Sequence, residues 1–140
     1  MFRIAICEDD AGDKSRFQEQ INAYATVHPG LLSWNFFSNA EELETVLVRQ
    51  KVHFDAYFLD IMMPGKNGVE LARQLKKTNG AANIVFLSSL SDYVEESYAL
   101  GVVYYMLKPL QQDKLFALLD KLTVLPKQET AFLLQDANQL

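Results

Sequence analysis

Acidic side chains follow two of the short apolar stretches in this sequence. Glu8 and Asp9 come directly after Phe2 to Cys7, and Asp60 follows Asp55 to Leu59. Carboxylates that meet in one crevice raise one another's pKa unless a cation neutralises them. Such a set of oxygen ligands suits Mg²⁺. Taken alone, the acids after the first stretch are better explained as caps of a following helix; together with Asp60 they predict a metal site.

Asp60 is also a candidate nucleophile. It stands between an apolar stretch and a loop that contains Pro64, Gly65 and Gly68. An ionised aspartate beside a bound metal can attack a phosphoryl donor in line and become an acyl phosphate. The competing explanation is that Asp60 only caps the turn, as aspartate often does before a Pro/Gly loop.

A serine and a lysine follow two later apolar stretches. Ser88 offers a hydroxyl that could bond a phosphate oxygen, and Lys108 offers a flexible point charge. Because Pro109 restricts the residue before it, a cis bond there could aim the lysine side chain. The alternatives are a helix-capping serine and an ordinary exposed lysine.

The elements that must position these groups alternate regularly along the chain. Apolar, strand-like stretches alternate with segments of helical periodicity, which gives five βα units and favours an α/β fold. Near-continuous apolar strands predict a doubly wound parallel sheet with helices on both faces, and ligands bind such sheets at the carboxyl ends of the strands. The predicted strands are Phe2 to Cys7, Leu31 to Phe37, Asp55 to Leu59, Ile84 to Leu87 and Val102 to Leu107.

Composition limits the function classes. The 140 residues suffice for one domain, and the net charge of −5, with 13 basic residues spread along the chain, argues against DNA binding by this chain alone. We find no apolar run of the ~20 residues that a membrane helix needs, and no signal-peptide pattern. The single cysteine, Cys7, is consistent with a reducing cytosol. We therefore expect a cytoplasmic protein without a membrane segment.

Four segments together resemble the receiver domains of bacterial two-component response regulators, the CheY-like family. The likeness covers roughly residues 2–124, and we expect the domain to span residues 1–124. The matching segments are Ile4 to Asp10 (IAICEDD), Phe58 to Gly68 (FLDIMMPGKNG), Ile84 to Ser89 (IVFLSS) and Gly101 to Pro109 (GVVYYMLKP).

This resemblance implies a fold and a set of roles. The fold would be flavodoxin-like, with five parallel strands in the order 2-1-3-4-5. Asp60 would be the phosphoacceptor for a sensor histidine kinase, and the domain would act as a signalling switch, not as an enzyme. Glu8, Asp9, Asp60 and the backbone carbonyl of Met62 would hold Mg²⁺, Lys108 would bind the phosphate, and Ser88 and Tyr105 would form the switch.

Two residues depart from the family pattern, and three other classes compete with it. Glu8 stands where aspartate is commoner, and Ser88 replaces the more frequent threonine; neither change removes the chemistry. Phosphohydrolases of the haloacid-dehalogenase kind need a second acid two residues after the nucleophile, where this chain has Met62. Flavodoxins need a phosphate loop after the first strand, which is missing. A pseudo-receiver that only binds partners stays open.

The amino-acid sequences of the segments around Asp60 and Lys108 are most similar to those of receivers attached to LytTR-type DNA-binding domains. Residues 125–140 would then be a linker or the truncated start of such an output domain, although a disordered tail explains them equally well. DNA would be bound only through that output domain. The resemblance also implies a phosphorylation-dependent homodimer, formed through the helix at Asp92 to Leu100, the fifth strand and the last helix.

Overall fold

The computed structural model describes residues 1–124, which form one parallel sheet of five strands. All strand pairs are parallel, and the order is β2-β1-β3-β4-β5. The predicted fold class and strand order are therefore confirmed. The strands are β1 (Phe2–Cys7), β2 (Leu32–Phe37), β3 (Ala56–Asp60), β4 (Ile84–Ser88) and β5 (Tyr104–Leu107).

Five helices connect and follow the strands, and polar caps begin three of them. Asp10, Asn39 and Asn67 each accept a hydrogen bond from the backbone N–H three residues later, which satisfies a donor that the helix itself leaves free. Gly101 ends the fourth helix in the left-handed conformation at a φ of 72°. The helices are α1 (Ala11–Val27), α2 (Ala40–Gln50), α3 (Gly68–Thr78), α4 (Val94–Leu100) and α5 (Gln112–Val124).

The two faces of the sheet carry separate apolar cores. Helices α1 and α5 cover one face, where Phe17 and Ile21 of α1 meet the leucines of α5 against Ile4, Ile6 and other strand residues. On the other face, helices α2 and α3 pack Leu43 and Leu71 against residues such as Leu59 and Phe86. Four leucines of α5 that recur at helical spacing in the sequence are all buried: Leu115, Leu118, Leu119 and Leu122.

Several predicted boundaries were wrong by one or two residues. Asp60 does not follow β3 but is its last residue, because it continues the ladder opposite Leu87. Helix α4 begins at Val94 and not at Asp92, since the preceding residues form a turn in which the N–H of Val94 donates to the carbonyl of Ser91 at 3.3 Å. Strand β5 begins at Tyr104 and β2 at Leu32, each later than predicted.

Within residues 1–124, none of the helices combines the length and the apolar character that crossing a bilayer would require. The predicted linker or output-domain start at 125–140 lies outside the described residues.

Candidate functional site

Three carboxylates converge where β1 and β3 end side by side. These strands are neighbours in the sheet, so Glu8, just after β1, and Asp60, the last residue of β3, emerge at the same edge. Glu8, Asp9 and Asp60 each offer a carboxylate oxygen, and these oxygens lie within 4.8 Å of one another. The side chains of Glu8 and Asp60 are buried, whereas Asp9 is exposed. This is an all-oxygen donor set open to solvent on one side.

Lys108 reaches this cluster from the end of β5. Its backbone N–H donates to the carbonyl of Ser88 at 2.8 Å, which fixes the lysine beside β4, and its peptide bond to Pro109 is cis. Its Nζ lies 2.8 Å from Glu8 Oε1 and 3.2 Å from Asp60 Oδ2. The structure therefore places the predicted lysine against two of the predicted acids, and not in solvent.

The electrostatics of the cluster are unbalanced. Burial raises the pKa of Asp60 from 3.8 to about 8; hydrogen bonding to Glu8 and repulsion from it add to the shift, and Lys108 only partly opposes it. Burial alone would lower the pKa of Lys108, but its hydrogen bonds to Glu8 and Asp13 and the charges of Asp60 and Glu8 keep it above the ordinary 10.5. Without a further cation, one ammonium does not compensate the acids around it.

The loop after β3 holds Asp60 in place. The N–H of Met62 donates to Asp60 Oδ1 at 3.2 Å, so Asp60 also caps the turn, as the competing explanation of its position predicted. The N–H of Gly68 donates to the carbonyl of Ile61 at 3.0 Å. A side chain at position 68 would not fit, because its Cβ would lie 2.4 Å from the Asp60 carbonyl oxygen. The side chain of Met62 is 56% exposed.

Ser88 and Tyr105 meet at the backbone of Leu90. Ser88, buried at the end of β4, accepts a hydrogen bond from the N–H of Leu90 at 3.0 Å through its Oγ. The hydroxyl of Tyr105 donates to the carbonyl of Leu90, and its ring packs edge-on against Phe86. Ser88 thus caps the turn after β4 and not, as its alternative explanation predicted, the following helix, because α4 begins only at Val94 and has no side-chain cap. The Ser88 O–H remains a donor at the edge of the sheet that carries Asp60.

Sequence reasoning missed Asp13. Its Oδ2 lies 2.9 Å from Lys108 Nζ, although Asp13 belongs to none of the predicted groups. The available signal was its position: it is the third residue of α1 after the cap Asp10, one turn beyond the acids that follow β1. Charge patterning along α1 gave no indication that this acid faces a lysine at position 108.

With this geometry established, the family follows from comparison. A family model for the response regulator receiver domain matches residues 4–120. The chain belongs to the receiver domains of two-component response regulators, a family of signalling modules. The roles of the individual site residues remain predictions.

Two curated relatives illustrate the likeness. The chain is 38% identical over 64 residues to the transcriptional regulatory protein MalR of Bacillus subtilis, a match covering 44% of this chain and 27% of MalR. It is 32% identical over 90 residues to the sensory transduction protein LytR of Streptococcus agalactiae, covering 64% of this chain and 36% of LytR. This chain therefore corresponds to well under two thirds of either relative.

Solved structures share the fold. The response regulator protein TrrA of Thermotoga maritima, crystallised in complex with Mg²⁺ and BeF, superimposes with a TM-score of 0.74 at 24% identity. The match covers 87% of this chain and 99% of TrrA. At this identity the likeness establishes the architecture.

Proposed function

We propose that this chain is a phosphorylated switch in which Asp60 accepts a phosphoryl group from a histidine kinase. A carboxylate oxygen of Asp60 forms the new bond to phosphorus while the bond from phosphorus to the donor breaks and the donor keeps that electron pair. The observation that carries the proposal is the buried Asp60 carboxylate, grouped with Glu8 and Asp9 and lying 3.2 Å from Lys108 Nζ.

A divalent cation fits the residues present. The raised pKa of Asp60 means that its ionised form, the nucleophile, is disfavoured in the cluster until more positive charge arrives. Glu8, Asp9 and Asp60 provide oxygen ligands, and we assign a further ligand to the backbone carbonyl of Met62. Oxygen donors with room for water suit Mg²⁺, which TrrA binds together with BeF. When bound, the ion would neutralise charge that develops on the transferred phosphoryl group.

Lys108 and Ser88 supply the remaining contacts in this proposal. The ammonium of Lys108 already points at Asp60 and would bind an oxygen of the attached phosphoryl group. The Ser88 hydroxyl, whose Oγ accepts the Leu90 N–H in this structure, would donate to another of those oxygens. Phosphorylation adds about −2 charge and new acceptors, so it favours whichever conformation offers donors to them.

The direct test is incubation with acetyl phosphate and Mg²⁺ followed by intact-mass measurement. We expect the native chain to gain one phosphoryl group and Asp60→Asn to gain none. Asp9→Asn should require much more Mg²⁺, whereas Asp10→Asn, which removes a neighbouring charge outside the metal group, should behave like the native chain. If the native chain is never phosphorylated under these conditions, or if Asp60→Asn is, the proposal is wrong.

The α4–β5 surface is the proposed site of phosphorylation-dependent homodimerisation. It exposes apolar and aromatic side chains: Tyr98 at 82%, Tyr104 at 44%, Leu107 at 52% and Val103 at 40%. A cavity of about 300 Å³ lies between α4 and β5 under these residues. Exposed apolar patches of this kind mark interaction surfaces. Sedimentation velocity with Mg²⁺ and beryllofluoride should show a dimer that Tyr104→Glu abolishes; an unchanged monomer would contradict dimerisation.

Transcription control by a LytTR-type output domain is our proposal for the whole protein. It is supported by the similarity to MalR, whose name states a role in transcription, and to LytR. The receiver domain would span residues 1–124 and residues 125–140 would lead into the output domain, in the cytoplasm. The sequence encoded after residue 140 tests this directly, because a catalytic or a different DNA-binding domain there would overturn the LytTR assignment.

A further inference from the structure

The ammonium group of Lys108 is surrounded by three carboxylates. Its Nζ lies 2.8 Å from Glu8 Oε1, 2.9 Å from Asp13 Oδ2 and 3.2 Å from Asp60 Oδ2. A lysine ammonium has three N–H donors, so these partners can use all of them. The lysine side chain is 15% exposed, which leaves water little access to it. The direction of the lysine is therefore set by which of these three acids keeps its bond.

Two of the three partners change during the proposed reaction. Asp60 gives up its carboxylate charge when it becomes an acyl phosphate, and its contact with Lys108 is already the longest of the three. Glu8 belongs to the group of oxygens that could hold a metal, so it would share its charge with the ion. Asp13 lies outside that group, and it is the partner whose ionic state the reaction leaves unchanged.

The local structure of α1 leaves the Asp13 carboxylate available for this contact. An acid at the third position of a helix often accepts the N–H of the capping residue. Here that N–H, from Asp10, donates instead to Glu8 Oε2 at 3.3 Å. Asp10 in turn caps the N–H of Asp13 at 2.8 Å, which fixes the backbone and aims the side chain across to β5. The Asp13 side chain is one-third exposed, so an isosteric amide there should be tolerated.

We propose that Asp13 is a positioning residue that keeps Lys108 directed at the phosphoryl group while Glu8 and Asp60 are engaged elsewhere. This inference rests on the proposed phosphorylation of Asp60. Asp13 itself touches neither Asp60 nor the transferred group, and it acts through the lysine. Replacing its carboxylate with an amide leaves one lysine N–H without an ionic partner, so the ammonium samples other directions.

The first test needs no phosphorylation and no metal. Heteronuclear NMR detects lysine ammonium protons when hydrogen bonds protect them from exchange with water, and Lys108→Arg identifies the resonance by its loss. We expect Asp13→Asn to speed the exchange of the Lys108 ammonium protons about tenfold, as the loss of one charge-assisted hydrogen bond implies. Asp13→Glu should restore protection, and Asp10→Asn, which removes a charge from the same turn, should leave exchange unchanged. Equal exchange in Asp13→Asn and the native chain overturns the proposal.

The second test separates positioning from metal binding and from folding. With acetyl phosphate as donor, Asp13→Asn should lower the rate of Asp60 phosphorylation about tenfold at saturating Mg²⁺, with the Mg²⁺ concentration for half-saturation unchanged. Asp13→Glu should recover most of that rate. A rate for Asp13→Asn equal to the native rate, or a loss caused wholly by weaker Mg²⁺ binding, would overturn the proposal. If the native chain is not phosphorylated at all, the proposed function fails, while the ammonium exchange still reports on Asp13.

Discussion

Ser88 and Tyr105 are hydrogen-bonded to the same peptide backbone, that of Leu90. Ser88 Oγ accepts the Leu90 N–H at 3.0 Å, and the Tyr105 hydroxyl donates to the Leu90 carbonyl. A displacement of Ser88 toward a phosphoryl group would therefore weaken its hydrogen bond with the Leu90 N–H. Movement of Leu90 would in turn disturb the hydrogen bond between its carbonyl and the Tyr105 hydroxyl. Leu90 therefore lies between the edge of the sheet that carries Asp60 and the α4–β5 surface, which Tyr105 also lines.

We predict that Ser88→Ala disconnects the two ends of this chain of contacts. With Mg²⁺ and beryllofluoride, the NMR resonances of the Leu90 amide and the Tyr105 ring should shift in the native protein and change little in Ser88→Ala. The physical reason is that alanine has no oxygen to accept the Leu90 N–H and no hydroxyl to bind the phosphoryl mimic.

Ser88→Thr is the matched control, because it keeps the hydroxyl and adds one methyl group. It should retain the shifts of Leu90 and Tyr105. Fluorine NMR of bound beryllofluoride establishes that each variant is occupied. If the Leu90 and Tyr105 resonances of a fully occupied Ser88→Ala protein shift as much as those of the native protein, the Ser88 hydroxyl does not couple the two sites.

Asp60→Asn should stabilise the metal-free protein at neutral and mildly alkaline pH. The pKa of Asp60 is raised from 3.8 to about 8, so between these values the folded state binds more protons at this site than the unfolded state. The free energy of unfolding of the native chain therefore falls as pH rises from about 4 to about 8. Asparagine does not ionise, and Lys108 keeps Glu8 and Asp13 as partners. Urea denaturation at pH 8 should favour Asp60→Asn by at least the ~1.4 kcal/mol that corresponds to one pKa unit.

Two observations control this prediction. The advantage of Asp60→Asn should shrink as pH is lowered toward 4, where Asp60 is protonated in the folded native chain. Saturating Mg²⁺ should stabilise the native chain by about 2.7 kcal/mol at a hundredfold excess over its dissociation constant. At the same Mg²⁺ concentration it should stabilise Asp60→Asn less, because that variant lacks one of the three carboxylates. A native chain that equals or exceeds Asp60→Asn in stability at pH 8 without metal would contradict the electrostatic account.

The sequence was sufficient to predict the sheet and the meeting of its strand ends. Parallel strands that alternate with helices carry their carboxyl ends to one edge, so acids after β1, an acid at β3 and a lysine after β5 had to approach one another. The helix stripe of α5 followed from spacing alone, since Leu115, Leu118 and Leu122 recur at helical intervals. These features depend on patterns within one element or on topology.

What the sequence did not predict depends on distances between loops. Asp13 meets Lys108, 95 residues later, only because the first turn of α1 lies beside the end of β5, and no local pattern encodes that distance. The shared contact of Ser88 and Tyr105 with Leu90 depends on the path of the loop after β4. The start of α4 was predicted two residues early because Ser91 to Tyr93 form a turn that periodicity does not distinguish from a helix.

Gly68→Ala should destabilise the protein, because the added Cβ would clash with the backbone of Asp60. A Cβ at position 68 would lie 2.4 Å from the carbonyl oxygen of Asp60 and 3.0 Å from Ile61 Cα, so the backbone of Asp60 would have to move. We expect a loss of roughly 2–4 kcal/mol in the free energy of unfolding. Gly80→Ala is the control, because its Cβ would meet its nearest neighbour, the Lys76 carbonyl oxygen, at an ordinary 3.9 Å. Urea denaturation of both variants measures the difference, and comparable stability would refute the packing argument.

The phosphorylated chain should lose its phosphoryl group slowly. Hydrolysis of an acyl phosphate needs a water molecule aligned with the phosphorus, and a polar side chain near the site can orient it. The residues two positions beyond Asp60 and Ser88 are Met62 and Leu90, whose side chains are 56% and 41% exposed. Neither can direct a water molecule through a strong hydrogen bond.

Met62→Asn, which places an amide there, should shorten the phosphoryl lifetime roughly tenfold. The decay is measured by intact mass after the donor is removed, with Met62→Leu as the apolar control that keeps the native lifetime. Rapid Mg²⁺-dependent decay in the native chain, or equal lifetimes for Met62→Asn and Met62→Leu, would show that these positions do not govern the reaction.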